Sequence, residues 1–150
     1  MVCATPSILV ACCEADVTDT PPNSSRSMLG HLSFGVEDLA RATAFYDAAL
    51  APLGFVRVWQ NARGSGFGWP GGGDKLALFA RPGEARAPGA GFHLAFDAPS
   101  RAAVDAFHSA ALEAGGTSAG APGLRAHYGP TYYAAFVIDP DGHKLEAVHK

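Results

Sequence analysis

Displaced by 62 positions, the sequence matches itself. His31-Leu32-Ser33-Phe34 falls on His93-Leu94-Ala95-Phe96, and Asp38 falls on Ser100. Ala44-Phe45 falls on Ala106-Phe107, Ala48-Ala49-Leu50 on Ala110-Ala111-Leu112, and Gly54 on Gly116. The matches sit at positions that start, pack or end elements, so the chain reads as two copies of one supersecondary unit. Duplication constrains the fold more than any other feature. Each copy has its own apolar face to bury, and chemistry carried by one copy has a counterpart position in the other.

Each copy opens with strand alternation. Over 29–36, Leu32, Phe34 and Val36 alternate with His31, Ser33 and Gly35; over 91–97, Phe92, Leu94 and Phe96 alternate with His93, Ala95 and Asp97. The period of two puts each histidine on the face opposite the bulky stripe. A helix follows in each copy. Asp38 and Ser100 are N-caps, and Gly54 and Gly115-Gly116 are the stops. The apolar stripes are Leu39, Ala42, Phe45, Tyr46, Ala49 and Leu50 in the first helix, and Val104, Phe107, Ala111 and Leu112 in the second. Three more strands complete each copy, predicted near 55–61, 64–69 and 75–81, and near 117–121, 132–139 and 143–149. Asp139-Pro140-Asp141-Gly142 makes the tight turn before the last of them, with Pro70-Gly71-Gly72-Gly73 in its place in the first copy. The predicted fold is α+β, two tandem βαβββ modules (about 28–81 and 91–150) forming a curved mixed sheet. With the helices on one face, both histidines point into a concave site on the other.

Composition limits the function classes. The 150 residues suit one domain with a real core. A formal net charge of -3 without a basic run argues against a nucleic-acid partner, and no apolar stretch of about 18 residues argues against a membrane span. The cysteines, Cys3, Cys12 and Cys13, precede the folded part, so a disulfide scaffold is excluded and a cytoplasmic setting is expected. Residues 1–27, Pro/Ser-rich at their end, read as a disordered extension and not as a secretory signal.

Three residues stand out chemically. In the last strand Lys144, Glu146 and Val148 share a face, and Glu146 is bracketed by Leu145 and Ala147. A carboxylate in a central strand is costly to bury unless it is paired or binds a metal. With His31 and His93 it makes a two-histidine, one-carboxylate set suited to Fe(II), Mn, Ni or Zn, with positions left for substrate or water. Taken singly, each is better explained as a core or surface residue; the repeat symmetry of the histidines, with a lone carboxylate after the final turn, favours the metal. Around them, His127 and Tyr133 are candidate acid–base groups, and Phe67, Trp69, Arg125 and Tyr128 candidate substrate contacts. Arg57 is a second candidate for an anionic substrate group, while His108, His143 and His149 read as bystanders.

The segment His31–Leu50, the run Gly91–Phe96 and the ending Asp139-Pro140-Asp141-Gly142-His143-Lys144-Leu145-Glu146 resemble the vicinal-oxygen-chelate superfamily. It includes glyoxalase I, bleomycin-resistance proteins, fosfomycin-resistance enzymes and extradiol dioxygenases. The resemblance covers residues 28–150. It implies metal ligands on the first strand of each module and on the last strand, which are His31, His93 and Glu146. It also implies a small-molecule substrate and a homodimer, consistent with the open strand edges. Two departures matter. The fourth ligand of glyoxalase I falls on Ala77, which cannot ligate. The catalytic tyrosine of the extradiol dioxygenases falls on Phe136. The expected function is a metal-dependent enzyme, a lyase, isomerase or dioxygenase acting on an oxygen-chelating substrate. The alternative is a non-catalytic binding protein of the bleomycin-resistance type.

Overall fold

The computed structural model describes residues 28–150, so the expectation for 1–27 lies outside the described residues. Asp38 and Ser100 start the two helices by capping. The Asp38 carboxylate accepts from the Arg41 N–H at 3.0 Å, and the Ser100 hydroxyl from the Ala103 N–H at 3.1 Å. Each cap contributes about 1 kcal/mol. Helix α1 spans Leu39–Leu50 and α2 spans Arg101–Glu113. A single 3-10 turn, Ala51–Leu53, extends α1 to Gly54, whose φ of 86° ends it; Gly115, at φ 98°, follows α2.

Around α1 lie β1 (Leu32–Val36), β2 (Val56–Asn61), β3 (Gly64–Gly68) and β4 (Asp74–Ala80); around α2 lie β5 (Leu94–Asp97), β6 (Thr117–Leu124), β7 (Tyr133–Ile138) and β8 (Lys144–His149). They form two four-stranded mixed sheets, ordered β1-β4-β3-β2 and β5-β8-β7-β6. The first and last strands of each module pair in parallel, and the rest are antiparallel. The two βαβββ modules are therefore present, as two separate sheets within the chain. The repeat does not keep one offset. Leu32 and Leu94 are 62 positions apart, whereas Leu76, paired with Leu32, corresponds to Leu145, paired with Leu94, 69 positions on. The difference lies in the hairpins: Ala62-Arg63 joins β2 to β3, but residues 125–132 join β6 to β7.

One apolar core serves both modules. Phe45 and Phe107, equivalent by the repeat, are fully buried, each contributing about 1.5–3 kcal/mol on the transfer scale. Thr43, on the buried face of α1, is satisfied by the Ser65 hydroxyl at 2.9 Å. Leu112, predicted for the α2 stripe, is instead 37 % exposed at its margin, and Ala103 is buried in that stripe.

A buried polar cluster joins the modules. The Tyr46 hydroxyl of α1 donates to Asp139 Oδ2 at 2.8 Å, and His143 Nδ1 lies 2.9 Å from the same oxygen. Asp139 Oδ1 accepts from the N–H groups of Asp141 and His143, closing the predicted turn, with Gly142 at φ 93°. The His143 ring stacks on Phe34 of β1 at 4.3 Å. Burial alone would raise the Asp139 pKa, but the hydrogen bonds and charge of His143, helped by Tyr46, hold it below the usual carboxylate range. Burial, then the Asp139 charge, pushes Tyr46 well above its ordinary value, so its proton stays on the hydroxyl. His143, read from sequence as a bystander, thus ties the second module to the first.

Candidate functional site

Strand register brings the site together on the second sheet. Glu146 of β8 is opposite Ala95 of β5 and Phe136 of β7, so these three side chains share the face away from α2. His93, two residues before Ala95, follows the same parity. Its Nε2 lies 3.0 Å from Glu146 Oε2, with the imidazole 44 % exposed and the carboxylate 1 % exposed. The Tyr132 hydroxyl donates to Glu146 Oε1 at 2.7 Å. Both carboxylate oxygens therefore have partners, as a buried charge requires. Partial burial, then the hydrogen bond to Glu146, pushes Tyr132 up to about 12, so it acts as a donor at neutral pH.

Beside this pair lies a cavity of about 420 Å³ lined by His93, Arg125, His127, Tyr128, Phe136 and Lys144. The loop 125–132 builds its wall: the His127 and Tyr128 rings pack at a tilt with centroids 4.1 Å apart, and Tyr128 packs at a similar tilt on Tyr132 at 5.2 Å. A second cavity, also about 420 Å³, runs between the modules and is largely apolar. His31, Phe67 and Trp69 line it, together with Phe55, Leu94 and Phe96. Trp69 packs on Phe55 at 4.5 Å and is 55 % exposed, while Phe67 is buried against Tyr46. Phe67 and Trp69 do share a face, but it is the core side of β3. The open side of that strand consists of Gly64, Gly66 and Gly68, and Trp59 lies over Gly66 so closely that a Cβ there would overlap the indole.

The candidates therefore divide. His93, Glu146, Arg125, His127 and Tyr128 converge on the open face of the second sheet. His31, Phe67 and Trp69 belong to the inter-module groove. Among the described residues, no three His, Cys, Asp or Glu side chains converge on a point that holds a metal. Tyr133 belongs to neither place: its hydroxyl donates to Asp105 on α2 at 2.8 Å, and Arg101 covers its ring at 5.2 Å. The tyrosine at the site is Tyr132, which the period of two, counted back from Phe136 through Ala134, would have identified. Arg57 is engaged away from the cavities by Asp47 and Gln60. His108 bonds Ser118, and His149 the Ala98 carbonyl.

The donor chemistry fits a divalent ion in part. Two ligands sharing an ion at about 2.1 Å lie about 3 Å apart, which is the His93–Glu146 separation. Imidazole with carboxylate suits first-row transition ions. Among the described residues of one chain this is two donors, and useful affinity needs at least a third. Ala77 is paired with Ser33 as Glu146 is with Ala95, so the register places Ala77 at the position equivalent to Glu146.

The sequence matches the model of the glyoxalase/bleomycin resistance protein/dioxygenase superfamily over residues 28–147. Among solved structures, a glyoxalase/bleomycin resistance protein from Albidiferax ferrireducens is 34 % identical; the match covers 83 % of this chain and 99 % of that one, at a TM-score of 0.67. A family enzyme from Burkholderia phytofirmans (21 % identity, 79 % and 94 % covered, TM-score 0.62) shares the fold. So does a glyoxalase I variant from Zea mays (22 % identity, TM-score 0.62), with 79 % of this chain covering 45 % of that longer one. No curated protein matches the chain. No helix among the described residues is long and apolar enough to cross a membrane.

Proposed function

Because this chain belongs to the glyoxalase/bleomycin resistance protein/dioxygenase superfamily, we propose that it is a metal-dependent enzyme acting on a small oxygen-chelating substrate, working as a homodimer in the cytoplasm. The observation that carries this is the His93–Glu146 pair, a carboxylate buried on the open face of a sheet and matched to an imidazole at 3.0 Å beside a cavity of substrate size. His93 and Glu146 would hold the ion, with His31 from a second copy of the chain as the third ligand. Fe(II), Mn, Ni or Zn suits this set. When bound, the ion supplies Lewis acidity toward neighbouring substrate oxygens.

The chain's own residues do the rest. Tyr132 holds Glu146 in one orientation through Oε1, leaving Oε2 toward His93. Phe136 floors the cavity where a dioxygenase has its tyrosine, and Ala77 stands where glyoxalase I has a fourth ligand. Both chemistries are therefore disfavoured in their usual form. His127, at the cavity mouth, is the candidate acid–base group. Sequestration without catalysis is the second reading, favoured by the two-donor set among the described residues of a single chain and by the apolar inter-module groove.

Mixed dimers test the reading. His31→Ala and His93→Ala should each lose metal when pure. If the site is shared, refolding them together in equal amounts restores metal to about a quarter of the sites, because half the dimers are mixed and each has one intact site. No recovery on mixing would reject the shared site, and full metal retention by both variants would place the metal elsewhere.

A further inference from the structure

Two cations on the open face lack a carboxylate partner among the described residues. Arg125 donates through Nη2 to the Ala121 carbonyl at 2.6 Å and forms no ion pair. Lys144 projects from β8 on the same face as Glu146. Both lie over Phe136, the guanidinium carbon at 5.6 Å from the ring centroid and the ammonium at 5.0 Å, and both line the cavity that His127 and Tyr128 wall. The nearby carboxylate of Glu146 forms an ion pair with neither, since its oxygens are engaged by His93 and Tyr132, so its charge acts on them only at a distance.

We infer that Arg125 and Lys144 form an anion subsite and that the ligand is an organic carboxylate with a planar body. The inference rests on the reading above and names the substrate class for that site. A guanidinium pinned through one nitrogen keeps its remaining N–H groups free in a fixed plane, the arrangement that takes two coplanar carboxylate oxygens. Lys144 adds a point charge from β8, which lies beyond β7 from the strand that leads to Arg125. The tilted His127–Tyr128 pair offers an aromatic wall for the body of the ligand. Two cations against one buried carboxylate leave a single positive charge, which matches a monoanion better than a phosphomonoester.

Calorimetric titration of the full chain in chelator tests this without involving metal, so failure of the metal site and failure of the subsite remain distinguishable. The probes are benzoate, phenyl phosphate and benzyl alcohol. Benzoate should bind, more tightly than phenyl phosphate, with benzyl alcohol at least tenfold weaker. Arg125→Gln and Lys144→Gln should each weaken benzoate about tenfold at unchanged melting temperature, while Arg57→Gln leaves it as in the parent. Benzoate binding that is absent, or equal to that of benzyl alcohol, or unchanged in both variants, overturns the subsite. Tighter binding of phenyl phosphate overturns the carboxylate assignment.

Discussion

Removing the Tyr46 hydroxyl is the sharpest probe of how the two modules are held. Tyr46 is fully buried, and its hydroxyl meets Asp139 Oδ2 at 2.8 Å. In Tyr46→Phe the carboxylate is not orphaned, because His143 Nδ1 still bonds Oδ2 and two backbone N–H groups still bond Oδ1. The loss is therefore one hydrogen bond to a charged group, about 1.5–3 kcal/mol, rather than the larger cost of an unpaired buried ion. About 2 kcal/mol in a domain of this size lowers Tm by roughly 6–8 °C. Asp139→Ala should cost more, since it strands the tyrosine hydroxyl, the imidazole and two N–H groups together. The pH dependence has a definite sign. Asp139 has a depressed folded pKa, so its stabilisation is full above the unfolded carboxylate pKa and is lost as pH falls through the folded value. Tyr46 is one cause of the depression, so the gap between parent and Tyr46→Phe should narrow across that acid window. Urea unfolding followed by circular dichroism in chelator, from neutral to acid pH, measures both. A difference below about 0.5 kcal/mol at neutral pH would refute the argument that this cluster fastens one module to the other.

Two further substitutions probe the first sheet. Ala77→Glu should lower Tm in chelator, where the new carboxylate is buried without a partner, and recover or exceed the parent with Ni or Zn added, while the unmodified protein shows negligible turnover of the methylglyoxal–glutathione hemithioacetal; no metal-dependent recovery would mean that Ala77 does not face the site. Gly66→Ala should push the Trp59 indole off β3 and red-shift its emission at a cost of about 1–3 kcal/mol; an unshifted spectrum with parental stability would show that the indole has room to yield.

Much of the architecture was legible because its causes are local. The caps at Asp38 and Ser100, the positive-φ stops and the alternation in each strand act over a few residues, and the repeat supplied each signal twice. The same alternation put Glu146 on a face with Lys144 and opposite Leu145. It fails where parity has to be carried through irregular chain: the sequence points to Tyr133 at the start of β7, although Tyr132 has the parity of Phe136 and reaches Glu146, while Tyr133 bonds Asp105. For Phe67 and Trp69 alternation told that they share a face, but three alternate glycines conceal which face that is until Trp59 is seen lying over them.

By itself, then, the sequence determined two βαβββ units, their caps and turns, and the polar face of the first and last strands, since period, caps and turns are properties of short segments. Only the tertiary structure decided how one unit sits on the other. That orientation depends on contacts between distant segments, such as Tyr46 with Asp139 and Phe34 with His143, which no local pattern encodes. It is this packing that leaves His31 in the inter-module groove while His93 and Glu146 meet on the open sheet, two histidines equivalent in sequence but set in different places.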